Sequence, residues 1–168
     1  DSRIHSYVFN KIIKKIKPAE FNNYSRSNYI EKSKFLSSLH GNFKPSFFSD
    51  ELVSSTLGSI RAMQKIQKSN GESGCHRYII SNNQTAINIL EVFTMFKISG
   101  WKKNTFDIIP LFETISDLDI AVEIMDKIYS NDEYREHLSN RNNEQTIMLG
   151  FSDGTKDVMN WFRQHWDQ

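Results

Sequence analysis

The chain has 168 residues with a formal net charge of +1, 38% hydrophobic, 12% aromatic and 24% charged, a size that supports one domain with an apolar core and is too short to expect two. The near-neutral charge gives no global pull toward nucleic acid, and no apolar run approaches the roughly 20 residues of a membrane span, so neither is expected as a partner. The single cysteine, Cys75, excludes an intrachain disulfide and an all-cysteine metal site, which suits a reducing, cytoplasmic setting.

The opening segment DSRIHSYVFNKIIKKI has helical spacing at Ile4, Val8, Ile12 and Ile16, and its lysines read as the wet face of an amphipathic helix. Starting inside a helix, with neither an initiator Met nor a signal-peptide core, it reads as a piece of something longer. Pro18 and Gly41-Asn42 mark loops. A long helix is expected from Ser49-Asp50, with Leu52, Val53, Leu57, Ile60 and Met63 on one side and its end at SNGESG. Residues 1–70 therefore form a helical part. Its aromatics, Phe21, Tyr24, Tyr29, Phe35, Phe43, Phe47 and Phe48, are either core or the face of a non-catalytic interaction module.

The period then changes. RYIIS (77–81) reads as a strand, followed by a helix carrying Ala86, Ile89, Leu90, Phe93 and Phe96 on one face and stopped by Gly100. TFDIIPLF (105–112) is a second strand, and a helix opening at Ser116 carries Ile120, Ile124, Met125 and Ile128. SNRNNEQ is a polar loop. TIMLGF (146–151) is an unbroken apolar run of the kind found in strands covered on both faces, and a short helix from Lys156 follows. Residues 71–168 thus read as βαβαβ, within one domain spanning 1–168. The fold class is α/β: a small domain with a helical cap, or a partial (β/α)8 barrel with three parallel strands.

In parallel α/β folds, chemistry gathers at the carboxyl ends of the strands. Ser81 and Asn82 follow the first strand, Glu113 and Thr114 the second, Ser152 and Asp153 the third. Glu113 and Asp153 leave neighbouring strands on the same side, where two carboxylates suit a hard cation such as Mg²⁺ or Mn²⁺. Gly154 permits a tight turn, and Thr155 and Lys156 open a helix whose N–H groups and ammonium favour an anion. The competing reading makes Asp153 an N-cap and Glu113 a solvated loop residue. The five histidines show no HExxH spacing, and Cys75-His76, at the amino-terminal end of a strand, reads as inert.

Four blocks, DSRIH, RYIIS, PLFETISDL and IMLGFSDGTKD, resemble the central segment of the phosphoenolpyruvate carboxylase family, whose strand-and-turn motif has the form G-[YF]-S-D-[SG]-[TA]-K-D. Residues 17–74 are only loosely comparable. The resemblance implies a (β/α)8 barrel enzyme, a homotetramer, that uses Mg²⁺ or Mn²⁺ to form oxaloacetate and phosphate from phosphoenolpyruvate and bicarbonate. In that family bicarbonate attacks the phosphoryl group, and the resulting enolate takes up CO₂. The resemblance makes Glu113 and Asp153 metal ligands and Lys156 a catalytic residue lining the substrate site, with Ser152 beside it. The family's arginine ahead of the DSRIH block and its GRGG loop are not in this sequence, and Val158, Met159, Asn160 and Trp161 stand where the family has glycines. By itself the stretch is expected to have little or no carboxylase activity, and exposed strand edges favour self-association.

Overall fold

A computed structural model describes residues 1–101, 105–151 and 154–156. The first part is helical: α1 (Ser2–Ile16), α2 (Pro18–Arg26), α3 (Tyr29–Ser38) and α4 (Glu51–Asn70), with a 3₁₀ turn at Pro45–Phe47 before α4 and another at Glu72–Gly74 after it. Then come β1 (Arg77–Ile80), α5 (Ala86–Ile98), β2 (Asp107–Phe112), α6 (Ile115–Tyr129), α7 (Asp132–Ser139) and β3 (Met148–Leu149). The strands form one parallel sheet in the order β1-β2-β3, with Arg77 opposite Asp107 and Phe112 opposite Leu149. This is a mixed α/β, mostly helical architecture with a three-stranded parallel sheet. Among the described residues no helix is long and apolar enough to cross a membrane.

Local chemistry explains most boundaries. Asp50 caps α4 by accepting from the N–H groups of Leu52 and Val53, as its position before the apolar run implies. Gly100 ends the α5 segment at φ +81°, a conformation that a side chain disfavours. One apolar core runs through both parts. Its centre is α5, buried around nearly its whole circumference rather than along a single face. α1, α3, α6 and β2 all pack on it, and the helical layer contributes Val8, Phe9, Ile12, Ile13, Leu57 and Ile60. A helix enclosed by other helices and a sheet loses the amphipathic stripe expected of a surface helix. In α1 the same packing selects Val8, Phe9, Ile12 and Ile13 as the buried apolar set, with Ser2 and His5 buried beside them, and leaves Ile4 outside.

The aromatics of the first part are mostly structural. Tyr24 and Phe48 are buried, Phe21, Tyr29, Phe35 and Phe43 pack against the core, and Phe47 is exposed. They do not form an open face for a partner. A second aromatic group, Phe93, Phe96, Phe106, Tyr134 and His137, joins α5 to β2 and α7, with Phe96 stacked on Phe106 at 4.1 Å. At the amino-terminal end of the sheet Arg141 donates to both oxygens of Asp107 at 2.7 and 3.2 Å and also pairs with Glu72. His76 lies 3.6 Å from Asp107, so the Cys75-His76 step sits beside a structural clamp.

Three expectations change. α7 is a helix that apolar periodicity misses, because its fully buried residues are Tyr134 and His137, with Leu138 partly buried beside them, while Asn131 supplies its cap. α6 opens at Ile115, capped by Thr114, rather than at Ser116. β3 is two residues long, and Leu149 is 61% and Phe151 91% exposed, so the run at 146–151 is not covered on both faces. Among the described residues it pairs with β2 alone, and helical structure already begins at Phe151. Trp161 and Trp166 lie outside the described residues.

Candidate functional site at the carboxyl ends of the strands

The end of β2 is the anchor. Glu113 follows Phe112 directly and is half-buried, and among the described residues no hydrogen bond or ion pair engages its carboxylate. β3 arrives beside it: Gly150 N–H donates to the Phe112 carbonyl at 2.9 Å, extending the parallel pairing past Leu149. A Cβ on Gly150 would lie 2.8 Å from Glu113 Cγ and 3.0 Å from its Cα, so only glycine lets the backbone pass this close. Four residues on, a Cβ on Gly154 would lie 3.1 Å from the Glu113 carbonyl oxygen. Both glycines of the LGFSDGTKD stretch therefore stand against Glu113.

The turn continues as a helix. Gly154 N–H donates to the Gly150 carbonyl at 3.1 Å, and Thr155 Oγ1 donates to the Phe151 carbonyl at 2.8 Å. Lys156 is exposed in the same turn, with interactions of its own. Ser152 and Asp153 lie outside the described residues, so of the expected site residues Glu113 and Lys156 are the ones located here. Among the described residues no group of three or more His, Cys, Asp or Glu side chains could hold a metal ion.

The start of α1 comes to the same end of the sheet. Ser2 N–H donates to the Ser81 carbonyl at 2.9 Å, and Ser2 Oγ donates to the Asn82 carbonyl. DSRIH, the SN step after β1, the ET step after β2 and the glycines after β3 thus converge on one rim.

Three residues of the rim were not singled out from sequence. Asn83 is fully buried and its amide donates to the carbonyls of Ile80 at 2.6 Å and Leu111 at 3.2 Å, fastening β1 to β2. Gln84 Nε2 donates to Asp117 Oδ1 at 2.8 Å. Asp117 Oδ2 accepts from the N–H groups of Glu113 at 3.2 Å and Thr114 at 3.1 Å. Burial pushes the Asp117 carboxyl up, but the N–H groups of Thr114 and Glu113 and the Gln84 amide together hold it below the usual carboxylate range. The T-x-x-D spacing of Thr114 and Asp117 is a capping box legible in sequence; that its carboxylate also reaches back to Glu113 is not.

The family model described as phosphoenolpyruvate carboxylase matches residues 1–168. The phosphoenolpyruvate carboxylase of Nitrosomonas europaea is 33% identical over 180 residues, covering 96% of this chain and 19% of the relative. That of Gloeobacter violaceus is 36% identical over 107 residues, covering 61% and 11%, and that of Azoarcus sp. is 37% identical over 106 residues, covering 60% and 12%. The chain spans about a fifth of the length of the Nitrosomonas relatives it matches.

Proposed function

Given that the chain belongs to the phosphoenolpyruvate carboxylase family, we propose that it supplies the acidic rim of an enzyme forming oxaloacetate and phosphate from phosphoenolpyruvate and bicarbonate. The observation that carries this reading is the approach of Gly150 and Gly154 to Glu113, which brings the turn of the LGFSDGTKD motif to the end of β2. In this proposal β1, β2 and β3 are consecutive strands of a (β/α)8 barrel, and the exposed edge at Met148–Leu149 is where pairing continues. The whole enzyme is proposed as a cytoplasmic homotetramer.

Glu113 fits a Mg²⁺ or Mn²⁺ ligand: a half-buried carboxylate with no described partner at the end of a central strand offers hard oxygen donors. Asp153 is proposed as the second ligand. When bound, the cation supplies Lewis-acid stabilisation for the oxygen that gains charge as the phosphoryl group leaves phosphoenolpyruvate. Lys156, on the first turn after Gly154, is proposed to hold the substrate's anionic groups together with the helix N-terminus and Ser152. α1, fixed to the end of β1 through Ser2, closes one side of the rim. The matched stretch is about a fifth of the relatives' length, so most groups that would neutralise phosphate lie elsewhere in such an enzyme, and the 168 residues alone are proposed to turn over poorly.

The test is oxaloacetate formation by the full-length protein with Mn²⁺, alongside Mn²⁺ titration calorimetry of the parent and a Glu113→Ala, Asp153→Ala double variant. Metal-dependent oxaloacetate in the parent, with both turnover and Mn²⁺ heat lost in the folded variant, is the expected result. Equal Mn²⁺ binding by the two proteins would sink the ligand assignment, and absence of oxaloacetate would sink the activity.

A further inference from the structure

Glu113 sits at a junction between a strand and a loop, where a carboxylate is easily misaimed. Its backbone N–H is nevertheless held by a braced carboxylate. Asp117, the third residue of α6, is buried and accepts from the N–H groups of both Glu113 and Thr114 with Oδ2. Its other oxygen, Oδ1, accepts from Gln84, which belongs to the connection after β1. Gln84 is in turn fixed by its neighbours. Its backbone N–H donates to Asn88 Oδ1 at 3.2 Å, and the preceding Asn83 ties the carbonyls of Ile80 and Leu111 across the sheet. Pro110 stands opposite Ile80 and has no N–H to give the ladder there, so side-chain amides fasten this end of β1 to β2. Asn82 takes φ +58°, which asparagine tolerates better than most residues and which starts the chain into this arrangement.

An ordinary capping box needs less than this. The cap of α6 is complete with Thr114 Oγ1 accepting from Asp117 N–H at 3.1 Å and Asp117 returning a bond to Thr114 N–H. The contact to Glu113 N–H and the bridge to Gln84 are additional, and both lead from the carboxylate proposed as a metal ligand to the end of the neighbouring strand. Groups that hydrogen-bond a ligating side chain directly are worth about 10- to 100-fold in metal binding, and Asp117, which holds the backbone of Glu113 rather than its carboxylate, is placed at the low end of that range.

We propose that Asp117, braced by Gln84 and Asn83, is a positioning residue that aims Glu113 at the divalent cation. The proposal rests on Glu113 being a ligand, as argued above. The experiment measures the Mn²⁺ activation constant, kcat at saturating Mn²⁺ and thermal midpoint of the full-length enzyme as parent, Asp117→Ala, Asp117→Asn, Gln84→Met, Thr114→Ala and Glu113→Gln. Asp117→Ala should raise the Mn²⁺ constant about 10-fold, with kcat at saturating metal changed much less. Asp117→Asn keeps an acceptor for the Glu113 N–H and should recover most of that loss. Gln84→Met, which removes one hydrogen bond and leaves the cap intact, should raise the constant about threefold and keeps the idea open to refutation if Asp117→Ala fails to fold. Thr114→Ala should lower the thermal midpoint with the Mn²⁺ constant within about twofold of the parent. If Asp117→Ala and Thr114→Ala move the constant equally, or if Gln84→Met leaves it unmoved, Asp117 is only a helix cap and the proposal is overturned. A Glu113→Gln enzyme with the parent's Mn²⁺ constant overturns the ligand assignment as well, and so separates the two failures.

Discussion

His137 should make the protein lose stability in mild acid. The residue is 2% exposed, with ring centroids 4.9 Å from Phe106, 5.1 Å from Phe93 and 5.6 Å from Tyr134, and among the described residues Nδ1 has no hydrogen-bond partner. Burial lowers its pKa from 6.5 to about 4; Asp107 and the Phe106 backbone pull upward, and Arg141 adds to the lowering. A histidine depressed in the folded state binds fewer protons than the unfolded chain between those values, so stability falls as pH falls from 6.5 through about 4. At about 1.4 kcal/mol per pH unit the full loss is about 3 kcal/mol, of which about 2 kcal/mol is gone by about pH 5. Against a typical total of roughly 5–15 kcal/mol that is a large fraction. The assay is urea unfolding of the parent and His137→Leu at several values between about pH 7.5 and 4.5. The parent should lose about 2 kcal/mol more than the variant on going to about pH 5. A difference between the two that stays constant across that range would falsify the argument, whatever its absolute size.

Three further outcomes follow from the packing. Glu91 is buried in α5 and accepts from Tyr24 Oη at 2.7 Å and from Ser6 Oγ; burial raises its pKa, so its stabilising contribution is present in acid and lost as pH rises through the folded value. Glu91→Gln should therefore gain on the parent as pH rises, whereas Glu91→Leu, leaving the buried Tyr24 hydroxyl and the partly buried Ser6 hydroxyl without this acceptor, should cost about 2 kcal/mol; denaturant midpoints at acid and neutral pH check both. Gly150→Ala drives a methyl into Glu113 Cγ at 2.8 Å and should cost about 1–3 kcal/mol in thermal unfolding while weakening Mn²⁺ binding; a fully stable variant with unchanged Mn²⁺ affinity would contradict the close approach. Arg141→Met removes the two-pronged contact to Asp107 and the pair with Glu72 and should cost about 2 kcal/mol by urea unfolding, and a loss below about 0.5 kcal/mol would reduce the clamp to a surface pair.

Elements whose signals are local were legible in the residues. Asp50 before an apolar run, Gly100 after one, and β-branched RYII each act over a few residues, and each marks the element found there. α7 escaped because it fully buries just Tyr134 and His137, and a helix held largely by its cap and by polar contacts such as Lys97 with Glu133 leaves no apolar period to read. The length of β3 escaped for a different reason. Apolar residues at 146–151 record an environment that favours burial, while Met148 and Leu149 are exposed here and, among the described residues, pair with β2 alone.

At the candidate site, sequence alone named Glu113, Ser152, Asp153 and Lys156 as chemistry at strand ends, because charged and small polar residues directly after apolar runs carry that meaning in any parallel sheet. Sequence also determined the family, through motifs whose residue order survives without coordinates. Tertiary structure decided what a linear pattern cannot hold: that Gly150 and Gly154 press against Glu113, that Ser2 reaches the end of β1, and that Asp117 and Gln84 join across 33 residues of chain. Those contacts depend on where the packing around α5 places separate strand ends. Spacing along the chain records which residues are neighbours in sequence, and only the packed core makes distant ones neighbours in space.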